Sequence, residues 1–153
     1  MCGMKLSFRS EYALRALIVL GETYEQGIVR IQTVSERQHI PKRFLEQILN
    51  DLRSGGFVES RRGVAGGYRL ARAPHEITLA DLVEYIQGTL PPSPERGARQ
   101  SPRGQRDEAG SAIASVMKEA RDAMHAVLTK ISLADLCDRT RKLRSESGMD
   151  YVI

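Results

Sequence analysis

Tryptophan is absent from this chain, and five tyrosines and three phenylalanines supply all the aromatic surface of 153 residues. Binders of single-stranded nucleic acid need a row of stacking platforms, and eight scattered rings do not provide one. Cysteine is almost as scarce. Cys2 and Cys137 stand far apart, which rules out a disulfide framework and fits a reducing compartment, so the expected location is the cytoplasm. No apolar run approaches the ~18 residues that cross a bilayer, and Leu17 to Leu20 is too short for the core of a signal peptide. Legible catalytic patterns are missing as well. His39, His75 and His125 are scattered, and no Ser-His-Asp set, HExxH or carboxylate pair is visible, so the chain does not read as an enzyme.

What is present is a lopsided distribution of charge. The net charge is +4. Residues 1–75 carry 12 Lys and Arg against 7 Asp and Glu, whereas residues 76–153 carry 11 against 12. The excess positive charge is confined to the first half, as a polyanion-binding module requires.

The pattern of that half is compact. Residues 7–21 place Ala13, Leu14, Leu17, Ile18 and Leu20 at helical spacing, with Ser7 or Ser10 as cap and Gly21 as stop. A short helix at Ile31–Gln38 points Val34 inward. His39-Ile40-Pro41 is a tight break, because proline gives no N–H and suits a helix start. From about Pro41 to Arg53, Leu45, Ile48, Leu49 and Leu52 form an i, i+3, i+4, i+7 stripe, and Gly55-Gly56 stops it. A strand begins at Phe57-Val58, turns through Arg61-Arg62-Gly63 and Gly66-Gly67, and returns as Tyr68-Arg69-Leu70. The expected architecture is mostly α with a small β wing: a winged helix-turn-helix over residues 1–75.

Two short helices around a tight turn can set the second into a major groove. Its outward residues would be Lys42, Arg43, Phe44, Glu46, Gln47 and Asn50. Arg43 suits guanine, Gln47 adenine, Glu46 a cytosine amino group and Phe44 a thymine methyl. The same pattern also fits a solvated amphipathic helix, so the hairpin has to decide. Arg61, Arg62 and Gly63 put two guanidiniums on a glycine-rich turn, a shape that suits a narrow, electronegative minor groove. A phosphate cradle for nucleotides is disfavoured, since GxxxxGK[ST] is lacking.

The second half reads as a connecting helix at 76–88, with Thr78 and Asp81 as capping pair and Leu79, Leu82, Val83 and Ile86 inward. A flexible loop at 89–110 follows, holding Pro91, Pro92, Pro94, Pro102 and four arginines. Dimerisation helices at 111–138 carry a long apolar stripe: Ile113, Val116, Met117, Ala120, Met124, Val127, Leu128 and Ile131. Ser132 and Asp135 cap a last short helix with Leu133 and Leu136. A tail at 139–153 has a polar, mobile leader from Arg139 to Gly148.

Several stretches together resemble the Rrf2 family of bacterial regulators. They are Leu45-Glu46-Gln47-Ile48-Leu49, Leu52-Arg53, Gly56-Phe57-Val58, Arg62-Gly63 and Gly66-Gly67-Tyr68 with Leu70; Ser10 to Leu17 resembles that family's first helix. The resemblance implies a homodimer joined through the helix at 111–131, base contacts to double-stranded DNA from residues 42–50, and insertion of Arg62 into the minor groove. Many members hold a [2Fe–2S] cluster on three cysteines in the loop after the fourth helix. Here Thr89 to Gly110 contains neither cysteine nor histidine. That departure points to the cluster-free branch, similar to the repressor of cysteine metabolism (CymR-type), and to no metal or cofactor. An alternative is a redox or metal sensor with unusual ligands drawn across a dimer from Cys2, Cys137, His125, Asp107 and Glu108. The end of the chain, Asp150-Tyr151-Val152-Ile153, resembles the tail of serine acetyltransferase that docks into cysteine synthase, so cysteine synthase is an expected partner. Packing of Tyr151 and Val152 on the chain's own core is the other possibility.

Overall fold

The computed structural model describes residues 6–87 and 107–148. Cys2, residues 88–106 and the tail residues Asp150, Tyr151, Val152 and Ile153 lie outside the described residues; the last residues of the loop expected at 89–110 instead cap and begin a helix, from Asp107 on.

The first helix, α1 (Phe8–Glu22), starts where the Ser7 hydroxyl accepts the Ser10 N–H at 3.2 Å. Its Ala13, Ala16, Leu17, Val19 and Leu20 are all at most 2% exposed, and each buried Leu or Val contributes about 1.5–3 kcal/mol. Gly21 does not stop the helix. It lies inside α1 because α6 crosses there: a Cβ at Gly21 would stand 2.7 Å from the Cys137 sulfur. Thr23 closes the helix instead.

Helix α2 (Ile31–Gln38) buries Val34, as its pattern predicts. The break after it is taken by His39, which adopts the left-handed region at φ 54° and ψ 42°. Its N–H and the Ser35 hydroxyl, which donates to the Ile40 carbonyl at 2.6 Å, tie the turn together. Pro41 is the N-cap of α3 (Lys42–Ser54), and Leu45, Ile48, Leu49 and Leu52 are its buried stripe. At the other end Gly56, at φ 78°, donates to the Arg53 carbonyl while the Phe57 N–H reaches Leu52. This doubly bonded stop needs a residue tolerant of the left-handed region, hence glycine.

Strands β1 (Val58–Arg61) and β2 (Gly67–Leu70) pair antiparallel, Val58 opposite Leu70 and Arg61 opposite Gly67. Phe57, Val58 and Leu70 sink into the common core while the rest of the ribbon projects. A 3-10 turn at Pro74–Glu76 leads to α4 (Leu79–Gln87), capped by Thr78. Thus the sequence-predicted winged helix-turn-helix is present, with α1 at its centre against α2, α3, α4, α6 and β2.

The long helix α5 (Glu108–Thr129) has no buried residue along its 22 positions. Its C-terminal end is bolted to the winged domain. The Leu79 N–H donates to the Ile131 carbonyl and the Leu133 N–H to the Ile77 carbonyl, both at 2.8 Å. Leu128 and Ile131 consequently turn toward the chain's own core, unlike the rest of the stripe expected to dimerise. Helix α6 (Leu133–Glu146) opens on a Ser132–Asp135 capping box and continues through the stretch read from sequence as a mobile leader. Leu133 and Cys137 anchor it in the core, and Arg144 donates to both oxygens of Glu22 at 3.2 and 3.4 Å. No described helix is long and apolar enough to cross a membrane.

Candidate nucleic-acid interface

Burying one stripe of α3 forces its opposite face outward. Lys42, Arg43, Phe44, Glu46, Gln47 and Asn50 are all exposed, as predicted. At about 100° per residue they do not point alike. Arg43, Gln47 and Asn50 form the outermost line. Lys42 turns toward the wing, and Phe44 leans toward α1, where with Phe8, Tyr12 and Gln47 it borders a surface groove. The Arg43 guanidinium lies 4.7 Å from the centre of the Phe44 ring.

The wing is held against the helix-turn-helix by residues that precede α2. Val29 and Tyr68 exchange both backbone hydrogen bonds at 2.8 Å, making Val29 a one-residue third strand beside β2. That approach leaves no room for a side chain at Gly67, whose Cβ would stand 2.3 Å from the Val29 carbonyl oxygen. At the tip, Gly63 has φ 110°, and a Cβ on Gly66 would lie 2.3 Å from the Arg61 carbonyl oxygen. Arg61, Arg62 and Gly63 are exposed on this tight turn.

Between α3 and the wing runs a cleft of about 420 Å3. Lys42 lines one side, Arg61, Arg62 and Gly63 the other. The start of α3, at Lys42, and the arginine turn therefore face the same space, while Phe44 and Gln47 border the separate groove toward α1. The cleft also holds two cations that the sequence reading missed, Arg30 and Arg53. Among the described residues no aspartate or glutamate lines it.

With this geometry in place, comparison with known proteins identifies the family. The family model for Rrf2, described as an iron-dependent transcriptional regulator, matches residues 6–139. The chain belongs to the Rrf2 family. Among relatives of this Rrf2 protein, slr0846 of Synechocystis, described as a helix-turn-helix-type transcriptional regulator, is 34% identical over 145 residues and 95% of both chains. CymR of Bacillus subtilis is 29% identical over 149 residues, 97% of this chain and 100% of CymR. Its structure, titled as that of the global cysteine regulator, superposes with a TM-score of 0.72 at 27% identity, covering 89% of this chain and 98% of CymR. The structure of T. potens IscR superposes with a TM-score of 0.74 at 28% identity, covering 93% and 92%. The protein is thus a DNA-binding winged-helix transcriptional regulator, and the family is not one of enzymes.

The family description raises the question of iron. Iron–sulfur clusters are held chiefly by thiolates, and the donors here do not fit one. Cys137 is 1% exposed between α1 and α6. Burial, with help from the Glu22 carboxylate, pushes its thiol up to about 11, so it stays protonated at neutral pH. Asp107 is engaged as N-cap of α5, accepting the Gly110 N–H at 2.9 Å. His125 lies eighteen residues further along, about 27 Å at 1.5 Å per residue, and its Nε2 meets Glu84 at 2.8 Å. The described alternative ligands, Cys137, Asp107, Glu108 and His125, therefore do not converge within one protomer. Among the described residues no group of three His, Cys, Asp or Glu is set to hold a metal.

Proposed function

We propose that this Rrf2 regulator is a homodimeric, sequence-specific repressor that works without an iron–sulfur cluster. The observation that carries the DNA part is the single cleft flanked by Lys42 of α3 and by Arg61 and Arg62 of the wing. A duplex that receives α3 in its major groove offers the adjacent minor groove to the wing. In this reading Arg43, Gln47 and Asn50 read base edges, Glu46 and Lys42 flank them, and Phe44 touches the rim of the site. Fluorescence anisotropy on duplex DNA checks it. Affinity should fall about a thousandfold or more between 50 and 200 mM salt, since binding releases condensed counterions. Selection from random duplexes should return two half-sites in inverted orientation, as two-fold symmetry requires. Salt-insensitive binding, or none, ends the proposal.

The dimer reading rests on α5. Ile113, Val116, Met117 and Val127 are 62%, 61%, 49% and 57% exposed, and with Ala120 they share one face. A helix packed on its own chain only near Leu128 is marginal in water, and the apolar stripe before it asks for a second copy.

A control of cysteine metabolism is the regulatory role favoured by the full-length similarity to CymR and by the cysteine-free loop. The proposed partner is cysteine synthase, gripping Asp150, Tyr151, Val152 and Ile153 in an apolar pocket. Deleting Val152 and Ile153 should abolish a calorimetric signal with cysteine synthase and leave sedimentation as a dimer unchanged. Absence of any complex with the intact chain defeats the partner assignment.

A further inference from the structure

Several arginines outside the interface are paired with carboxylates, although Arg37, Arg72, Arg121 and Arg139 form no salt bridge among the described residues. Arg9 pairs with Asp51, Arg15 with Glu11, Arg69 with Glu59 and Arg144 with Glu22. The two unpredicted arginines of the cleft behave differently. Arg30 donates from Nη2 to the Val64 carbonyl at the wing tip, 3.3 Å away. Arg53 donates from Nη1 to the Ser60 hydroxyl at 3.1 Å. Each guanidinium is steadied by a neutral oxygen and keeps its charge uncompensated; among the described residues neither forms a salt bridge. An arginine fork has five N–H donors, so one such bond leaves most of it free.

We infer that the cleft is a phosphodiester track, with Arg30 and Arg53 as backbone-binding residues. The inference rests on the DNA reading above and adds a geometric necessity to it. If α3 enters a major groove and Arg62 the neighbouring minor groove, the strand that separates the two grooves must pass between them. The space between them is this cleft. Among the described residues its walls carry Arg30, Lys42, Arg53, Arg61 and Arg62 with no carboxylate, the lining that a chain of phosphates requires. Backbone contacts fix register and carry no base preference, so these two residues set how deeply helix and wing can seat together.

The test is the salt dependence of duplex binding by the full chain, on a selected site and on a scrambled duplex. Each phosphate contact contributes about 0.9 to the log–log slope. Each substitution removes two contacts from the two-fold complex, so the advantage of the parent protein over R30A or R53A should shrink about 12-fold between 50 and 200 mM salt, and about 150-fold over the double variant. The loss should be equal on both duplexes, and R30K and R53K should recover the slope. Both side chains are exposed, and matching circular dichroism spectra confirm folding. An R30A/R53A double variant with the parental slope overturns the track while leaving the DNA reading standing, even if affinity drops through a loosened wing. A parent protein without salt-dependent duplex binding removes both.

Discussion

Arg62→Ala should weaken binding to the selected duplex by at least about 30-fold in a dimer with both wings engaged. One arginine in a groove is worth about 1–3 kcal/mol, and the two-fold complex loses it twice. The turn that presents Arg62 is rigid. Gly63 supplies the positive φ, and Gly66 folds back on the Arg61 carbonyl with no space for a Cβ. The wing base is buried through Phe57, Val58 and Leu70, so removing an exposed guanidinium from its tip leaves the fold intact, within about 0.5 kcal/mol. The loss should be larger on duplexes with A-tracts beside the half-sites than on G·C-rich flanks, because a narrow minor groove concentrates negative potential. Anisotropy titrations on the two duplexes measure this. Equal affinity of R62A and the parent protein on both would remove the wing from the interface.

The parts of this interface that the sequence discloses are local. The α3 stripe, the Gly55-Gly56 stop and the arginine-glycine turn depend on residues within one or two turns of each other, so spacing and residue type suffice. Gly21 shows where that ends. A glycine after an apolar stripe reads as a helix stop, yet here its missing side chain admits Cys137 of α6, 116 positions later in the chain. Arg139 to Glu146 has no apolar period and reads as a leader, yet it stays helical because Leu133, Cys137 and the Arg144–Glu22 pair hold it on α1. Leu128 and Ile131 continue the stripe of Ile113 and Met117, but periodicity tells which residues share a face, never what that face meets. Arg30 and Arg53 escaped for a related reason. Each is an ordinary cation in its own segment, and only the Val29–Tyr68 bridge and the return of β1 bring both to the cleft.

Met117→Lys, or Val127→Asp, should turn the dimer into a monomer and with it abolish tight binding to a two-half-site duplex. The free chain tolerates either change, because both positions are about half exposed and a charge there stays hydrated. In the proposed dimer the same position would be covered. A lone charge closed into an apolar seam costs about 3–5 kcal/mol, and a two-fold interface contains it twice, so the dissociation constant of the dimer should rise about ten-thousandfold or more. Loss of the dimer then separates the half-sites: each winged domain must bind alone, without the raised local concentration that tethering provides. Ile113 and Met117 lie near the start of α5, while its other end is fixed to the winged domain through Ile77, Leu79 and Ile131. Sedimentation velocity with circular dichroism separates dissociation from unfolding. Glu119→Lys, exposed on the same helix away from the stripe, should stay dimeric. A folded M117K that still sediments as a dimer at micromolar concentration would assign the interface to another surface.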